Sequence, residues 1–566
     1  MARRGGGSRH TRHSRTRLTR REFLAITAGG AAGAIFVPLA TEGAVDAAVA
    51  QPAAARPTGA YGPTQTVVVV HDISDAVSLD PQRAYEFAST AADRWMYATL
   101  VRFRTGDLTR VYPEVAHAWD VSKDARTYTF RLRQGVKFAS GNPLTAADVL
   151  FTFQRVVNIP KDPASWLITQ MGINAENVDE VVTAPDTHTV VVALPKPFSP
   201  GAFLAIMANP VAGIVDSRAV KAHMRSGDLG STWLNDHSAG AAPYELVQWT
   251  RLVTIELSAN PNYNLGPAPA IKRIVWPNIM ESTVQRDMLL RGDADIAEGL
   301  SASQLAALRE NPRISIAQTP DLSMTYLGMD VKNVPAFGKV QARQAVKWAV
   351  DYQGIIRDLL AGNGIPLQGI IPKGLFGYDA SLPYHHDPAK AKALLGEAGY
   401  PNGFTVELLT STGQAAGGIS AADLAAKVKN DLAAVGITVN VRQVASDELY
   451  STYRAQKAQM VLAQWSVDYP DPDDFAKPFG DYTQKSLAWR LQWYDDPLAK
   501  LVQHAGILEN TPGRAVLYRK INQIEAQDGP FAMLYQPMVS LAASKRIQHL
   551  RFDPVNGIDF AALMKT

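Results

Sequence analysis

The apolar and polar positions of this chain already place many of its elements. Thr66-Val67-Val68-Val69-Val70 is a β-branched run suited to a buried strand. Thr127 to Arg133 alternates, with Tyr128, Phe130 and Leu132 on one face, and predicts a half-buried strand; a turn and a second strand, Gly135–Phe138, should follow. Trp95-Met96-Tyr97 and Leu100-Val101 recur at helical spacing. Thr145-Ala146-Ala147-Asp148-Val149 opens a helix, with Thr145 as N-cap and Asp148 at the capping-box position. Asp387 to Leu395 predicts a helix with Leu394 and Leu395 inward and Gly399 just past its end. Leu432, Val435, Gly436, Ile437 and Val439 then give helix end, turn and strand.

One stretch combines a strand with candidate chemistry. Met460-Val461-Leu462-Ala463-Gln464-Trp465 is short and apolar, and predicts a buried strand. Ser466-Val467-Asp468-Tyr469-Pro470-Asp471-Pro472-Asp473-Asp474 is acidic and carries two prolines, and predicts a turn. A buried strand thus delivers the Trp465 indole and the Asp468 carboxylate to a strand end, where open α/β sheets collect ligands. The alternative is a solvated turn in which Asp473 or Asp474 caps a helix starting near Phe475.

Charge changes the picture at the N-terminal end. The formal net charge of the 566 residues is +3, but residues 1–50 hold eight Arg, no Lys and three acids, so the remainder carries −2. That near-neutral body gives no support for a nucleic-acid partner. Arg20-Arg21-Glu22-Phe23-Leu24, followed by a small-residue segment to Ala40, resembles a twin-arginine export signal, with Ala25 where Lys is common. Residues 1–50 are therefore expected to be an export signal, cleaved after Ala47 or Ala50, or an uncleaved anchor. Residues 51–64, rich in Pro, Ala and Gly, are expected to be a linker. No other apolar run is long enough to cross a membrane. Cysteine is absent, which excludes disulfides, thiolate metal sites, a Cys nucleophile and a lipoprotein anchor.

Catalytic motifs are absent too. There is no His-Glu-x-x-His, no phosphate-binding Gly-x-x-x-x-Gly-Lys-Ser/Thr and no Gly-x-Ser-x-Gly elbow. His385-His386 reads as a solvated loop, since adjacent residues on one turn seldom reach one ion. Asp468, Asp471, Asp473 and Asp474 lack the Gly and distal Glu of a calcium loop. No catalytic residue, metal ligand or cofactor is expected.

The run from Pro113 to Val156 resembles the signature of family 5 solute-binding proteins of ABC importers, the extracytoplasmic peptide- and nickel-binding receptors. It carries Ala118-Trp119-Asp120-Val121-Ser122, Tyr128-Thr129-Phe130-Arg131-Leu132-Arg133, Gly135-Val136-Lys137-Phe138 and Pro143-Leu144-Thr145-Ala146-Ala147-Asp148-Val149. Val115 and Ser140-Gly141-Asn142 depart from the pattern. Further landmarks are Asn260-Pro261-Asn262-Tyr263, Gly292-Asp293-Ala294-Asp295-Ile296, Ala342-Arg343-Gln344-Ala345 and Ala398-Gly399-Tyr400. Gly240-Ala241-Ala242-Pro243-Tyr244 stands where the family usually has Gly-Thr-Gly-Pro-Tyr; the two Ala replacements put that loop's geometry in question, because Gly reaches φ > 0 and Ala does so only at a cost.

The resemblance implies a two-lobed α/β periplasmic-binding-protein fold of type II with the extra family 5 subdomain and a cleft between the lobes. Lobe I would comprise 65–104, 208–318 and 527–566, the inserted subdomain 105–207, and lobe II 319–526. Crossings near Thr319-Pro320 and Gly529-Pro530 would serve as hinge strands. The expected role is extracytoplasmic capture of a small solute, an oligopeptide or dipeptide first, and delivery to the permease subunits and cytoplasmic ATPases of an importer. The protein would act as a monomer and without bond chemistry. Alternatives are the same fold holding a metal chelate or saccharide, a ligand sensor, or a secreted hydrolase. Carried over by the resemblance, Asp468 pairs a peptide's α-ammonium, and Trp465, Ser466 and Val467 bond its backbone. Tyr85, Glu86 and Phe87 would form the opposing segment. Arg343 is expected to be structural.

Overall fold

Val67, Val69 and Val70 are sealed from solvent, because the Thr66–Val70 strand is covered on both faces and pairs in parallel with Arg273–Pro277 and Ile296–Ala297. The computed structural model describes residues 62–566, apart from 160–163, 382 and 510; the export-signal expectation and most of the linker lie outside them. The described residues form one compact unit.

Its frame is a twelve-stranded mixed sheet. In order across it run Thr438–Val444, Thr405–Ser411, Met460–Trp465, Met324–Met329, Phe531–Ser544, Ile296–Ala297, Thr66–Val70, Arg273–Pro277, Thr254–Ala259 and Tyr244–Thr250; Ile314–Pro320 and Gly364–Pro366 also pair with Phe531–Ser544. The long Phe531–Ser544 strand belongs to both halves of this sheet. Its first part, Phe531 to Tyr535, pairs with Met324–Met329, and its last part, Met538 to Ser544, pairs with Ile314–Pro320. The return crossing therefore falls around Gln536–Met538, later than the expected Gly529-Pro530, because the strand continues straight through. Leu327, Val346, Leu424, Leu462 and Leu534 fill one core cluster and Val67, Met96, Ile274, Trp276 and Leu541 another, while a third holds residues of both halves, Val101, Phe130 and Phe203 with Met324, Val461 and Phe531.

A separate antiparallel sheet orders Ala116–Val121, Thr127–Leu132, Thr189–Ala193 and Val182–Asp186. Tyr128, Phe130 and Leu132 turn inward as the alternation predicts, and Phe203 stacks on Tyr128 at 3.7 Å. The helix Ala146–Asn158 has its capping box: the Thr145 N–H donates to Asp148 Oδ2 at 2.8 Å.

Two local expectations fail. Gly135–Phe138 makes no strand, only an isolated bridge at Lys137; Gly135 sits at φ +76° and Phe138 bonds the Asn142 carbonyl, so the segment closes as a loop. The helix Phe87–Met96 stops before Leu100 and Val101, and Val101 begins the strand Val101–Arg104. The Ala241-Ala242 question resolves simply: neither residue has positive φ. The demanding position is Gly240, where a Cβ would lie 1.8 Å from the Met96 carbonyl oxygen.

Candidate functional site

Two segments from opposite halves of the sheet meet through one hydrogen bond: the Tyr85 hydroxyl donates to Asp468 Oδ1 at 3.0 Å. Each partner is held by a buried ion pair on its own side. Upstream of Tyr85, Arg155 grips Asp80 with two bonds, at 3.1 and 2.8 Å, and both side chains are fully buried. Gln82 reinforces the turn by donating to the Val211 and Gly213 carbonyls. The chain then leaves Tyr85 and Phe87 exposed, Phe87 by 82%, with Glu86 at the start of the Phe87–Met96 helix.

On the other side the strand Met460–Trp465 ends at Trp465, which faces Met324 in register. The chain crosses Ser466 to Pro472 as an irregular segment and enters the helix Asp473–Gly480. Arg514 locks that segment by donating to both oxygens of Asp471, each at 2.8 Å, and to Ser199 Oγ and Tyr518 Oη. Asp473 meets Lys477 at 2.5 Å and accepts from the Tyr518 hydroxyl at 3.2 Å. Neither Asp473 nor Asp474 caps the helix through its side chain; the Asp474 carboxylate instead reaches back and accepts from the Asp468 N–H at 2.9 Å. The solvated capping turn is thus not what forms. Two of the four acids are paired with cations, Asp471 with buried Arg514 and Asp473 with half-buried Lys477; one orients Asp468, and Asp468 turns to the opposite half.

Electrostatics set Asp468 apart. Burial pushes its carboxyl above the ordinary range, and the Tyr85 hydroxyl partly offsets this. Asp474 is pushed up further, by burial and then by the Asp468 charge. Tyr85 is raised by burial and by Asp468. A carboxylate so placed is stabilised by any cation that reaches it. Trp465 packs edge-on against Phe479 at 6.1 Å, and its indole N–H is buried with no acceptor among the described residues, a donor left open three residues from Asp468.

The structure thus brings Tyr85 and Asp468 together, with Glu86, Phe87, Trp465, Ser466 and Val467 flanking them. Ser466 is exposed and Val467 half-buried against the core. Arg155, Arg514 and Asp474 were missed by sequence reasoning; the excess of acids over cations between Asp468 and Asp474 was the one available hint that distant arginines must enter. Arg343 donates to the Phe337 and Asp528 carbonyls, a structural role. His385 and His386 bond backbone carbonyls, and no group of metal-binding side chains occurs among the described residues.

A family model described as bacterial extracellular solute-binding proteins, family 5 middle, matches residues 110–486. The chain is 30% identical to the probable D,D-dipeptide-binding periplasmic protein DdpA of Escherichia coli K12, over 86% of this chain and 92% of that one. It is also 30% identical to di/tripeptide-binding protein 2 of Pseudomonas aeruginosa, over 85% and 92%. The structure of HbpA2 from Haemophilus parasuis superposes with a TM-score of 0.79 at 25% identity, covering 88% of this chain and 100% of that one.

Proposed function

Because this chain belongs to the family 5 bacterial extracellular solute-binding proteins, we propose that it captures a short peptide between two lobes and passes it to an ABC importer, with no bond made or broken. The lobes follow the two halves of the sheet: 65–104, 208–318 and the end of the chain from Met538 in one, carrying the inserted 105–207, and the chain from 319 to Tyr535 in the other. The observation that carries this reading is the Tyr85–Asp468 bond between the two halves. A peptide's α-ammonium takes the place of the Tyr85 hydroxyl at Asp468 and offers a full charge to a carboxylate that burial has left poorly solvated. The exposed backbone around Ser466 and the open Trp465 N–H bond the peptide's main chain in the manner of an added strand. Tyr85, Glu86 and Phe87 close over it from the other lobe. Backbone recognition makes side-chain identity secondary. The dipeptide- and tripeptide-binding descriptions of its relatives support the same ligand class.

The protein acts outside the cytoplasmic membrane, in keeping with its periplasmic relatives; among the described residues no helix is long and apolar enough to cross a membrane. Export follows the Arg20-Arg21 signal. Replacing both arginines by Lys keeps the charge and should strand the precursor in the cytoplasm; normal extracytoplasmic levels by immunoblot would contradict the twin-arginine route. The function itself is tested by mass spectrometry of material released from purified, denatured protein, followed by calorimetric titration of what is found. Short peptides support the proposal. A metal chelate or saccharide as the sole tight ligand overturns it.

A further inference from the structure

A cavity of about 240 Å³ opens where the end of the Phe87–Met96 helix, the Val101–Arg104 strand and the 551–561 tail meet. None of its lining residues belongs to the Tyr85–Asp468 junction. Four of them are arginines, Arg94, Arg102, Arg104 and Arg551, against two acids, Glu114 and Asp559. Those acids are weak counter-ions. Glu114 Oε2 already accepts from the Thr99 N–H and hydroxyl, at 2.9 and 2.8 Å, and burial holds both carboxyls above their ordinary range.

Arg94 is the residue that needs explaining. Among the described residues its guanidinium has no hydrogen-bond or ion-pair partner. The acids that influence it, Asp553 and Glu114, act from a distance, and Asp553 is occupied by the Gly106, Val555 and Asn556 N–H groups. Burial draws Arg94 down to about 10, so it remains a cation at neutral pH. Arg94 is half-buried at the cavity wall, and a cation that faces a cavity without a counter-charge is stabilised by an anion that fills it. Arg104 lies over the Tyr112 ring at 3.9 Å, which fixes its plane. Guanidinium forks match the paired oxygens of phosphate and carboxylate groups.

We propose that this cavity binds a small oxyanion, phosphate in kind, held by Arg94 and Arg551 with Arg102 and Arg104 beside them. The site is separate from the peptide site and would be occupied independently of it. Its volume accepts a phosphate with a small organic substituent, so a free phosphate compound and a phospholipid headgroup share the required chemistry.

Calorimetric titration of the full chain with inorganic phosphate, at fixed ionic strength, tests the proposal. Saturable binding is expected, weakened roughly 10–100-fold in Arg94→Gln and in Arg551→Gln, the loss expected for a charge-assisted bond. Arg551 is exposed, so its variant should fold and retain peptide binding. Sedimentation with phosphatidylglycerol vesicles separates the sources. Phosphate-competed binding that Arg94→Gln abolishes assigns a headgroup; phosphate binding without vesicle binding assigns a free oxyanion. No saturable phosphate binding, or equal binding by the parent and both variants, overturns it.

Discussion

Asp468 faces a neighbour of its own sign, and that gives it a pH dependence. Both Asp468 and Asp474 are held above the ordinary carboxylate range, so the folded chain binds protons more readily than the unfolded one. The contribution of this pair to stability is therefore largest at acid pH and falls as pH rises from the ordinary range through the raised values. Asp474→Asn keeps an oxygen for the Asp468 N–H and removes the like charge. Its melting temperature should exceed that of the parent by a margin that grows from about pH 4 to about pH 8; an equal shift at both ends would contradict the coupling. At this scale Asp468 and Trp465 were legible because they sit in one continuous motif. Arg155 and Arg514 were not, because their acids lie 75 and 43 residues away and only the fold brings them together.

The elements matter here as anchors. Both junction segments are irregular backbone, and irregular backbone keeps a fixed geometry only when side chains restrain it. Arg514 with Asp471 does this on one side and Arg155 with Asp80 on the other. Breaking a fully buried pair strands a charge at about 3–5 kcal/mol. Arg514→Met and Asp471→Asn should each destabilise by about that much in urea titration, and the double variant by clearly less than their sum. Strict additivity would show that the two residues act separately. The strand Thr127–Leu132 and the Thr145 cap were readable because alternation and capping are local. Gly135–Phe138 was misread because the chain turns back within four residues, Phe138 bonding the Asn142 carbonyl, and the next residue, Ala139, bonds the distant Gly240 carbonyl, which no short window contains.

At the scale of the molecule, the two halves share one sheet and are joined by the paired strands Ile314–Pro320 and Phe531–Ser544. A sheet crossing of two strands is narrow enough to bend, and the buried cluster that holds residues of both halves is the contact such a motion would open. Small-angle scattering should show a smaller radius of gyration once peptide is bound; an unchanged radius at saturation would argue for a rigid binder. The overall architecture was legible because a long signature runs through residues 113–156. The place of the return crossing was not, because Gly529-Pro530 looks like a break and the hydrogen bonds of the Phe531–Ser544 strand carry the chain on past it.

The most direct test of the peptide site is a calorimetric cycle on one short peptide, with a free or an acetylated N-terminus, against the parent protein and Asp468→Asn. The substitution preserves shape and removes the charge that the ammonium would meet. Loss of about 2–5 kcal/mol for the free-amine peptide, with little loss for the acetylated one, is the predicted result. Equal losses for both peptides would contradict it and leave Asp468 as a residue that serves its turn alone.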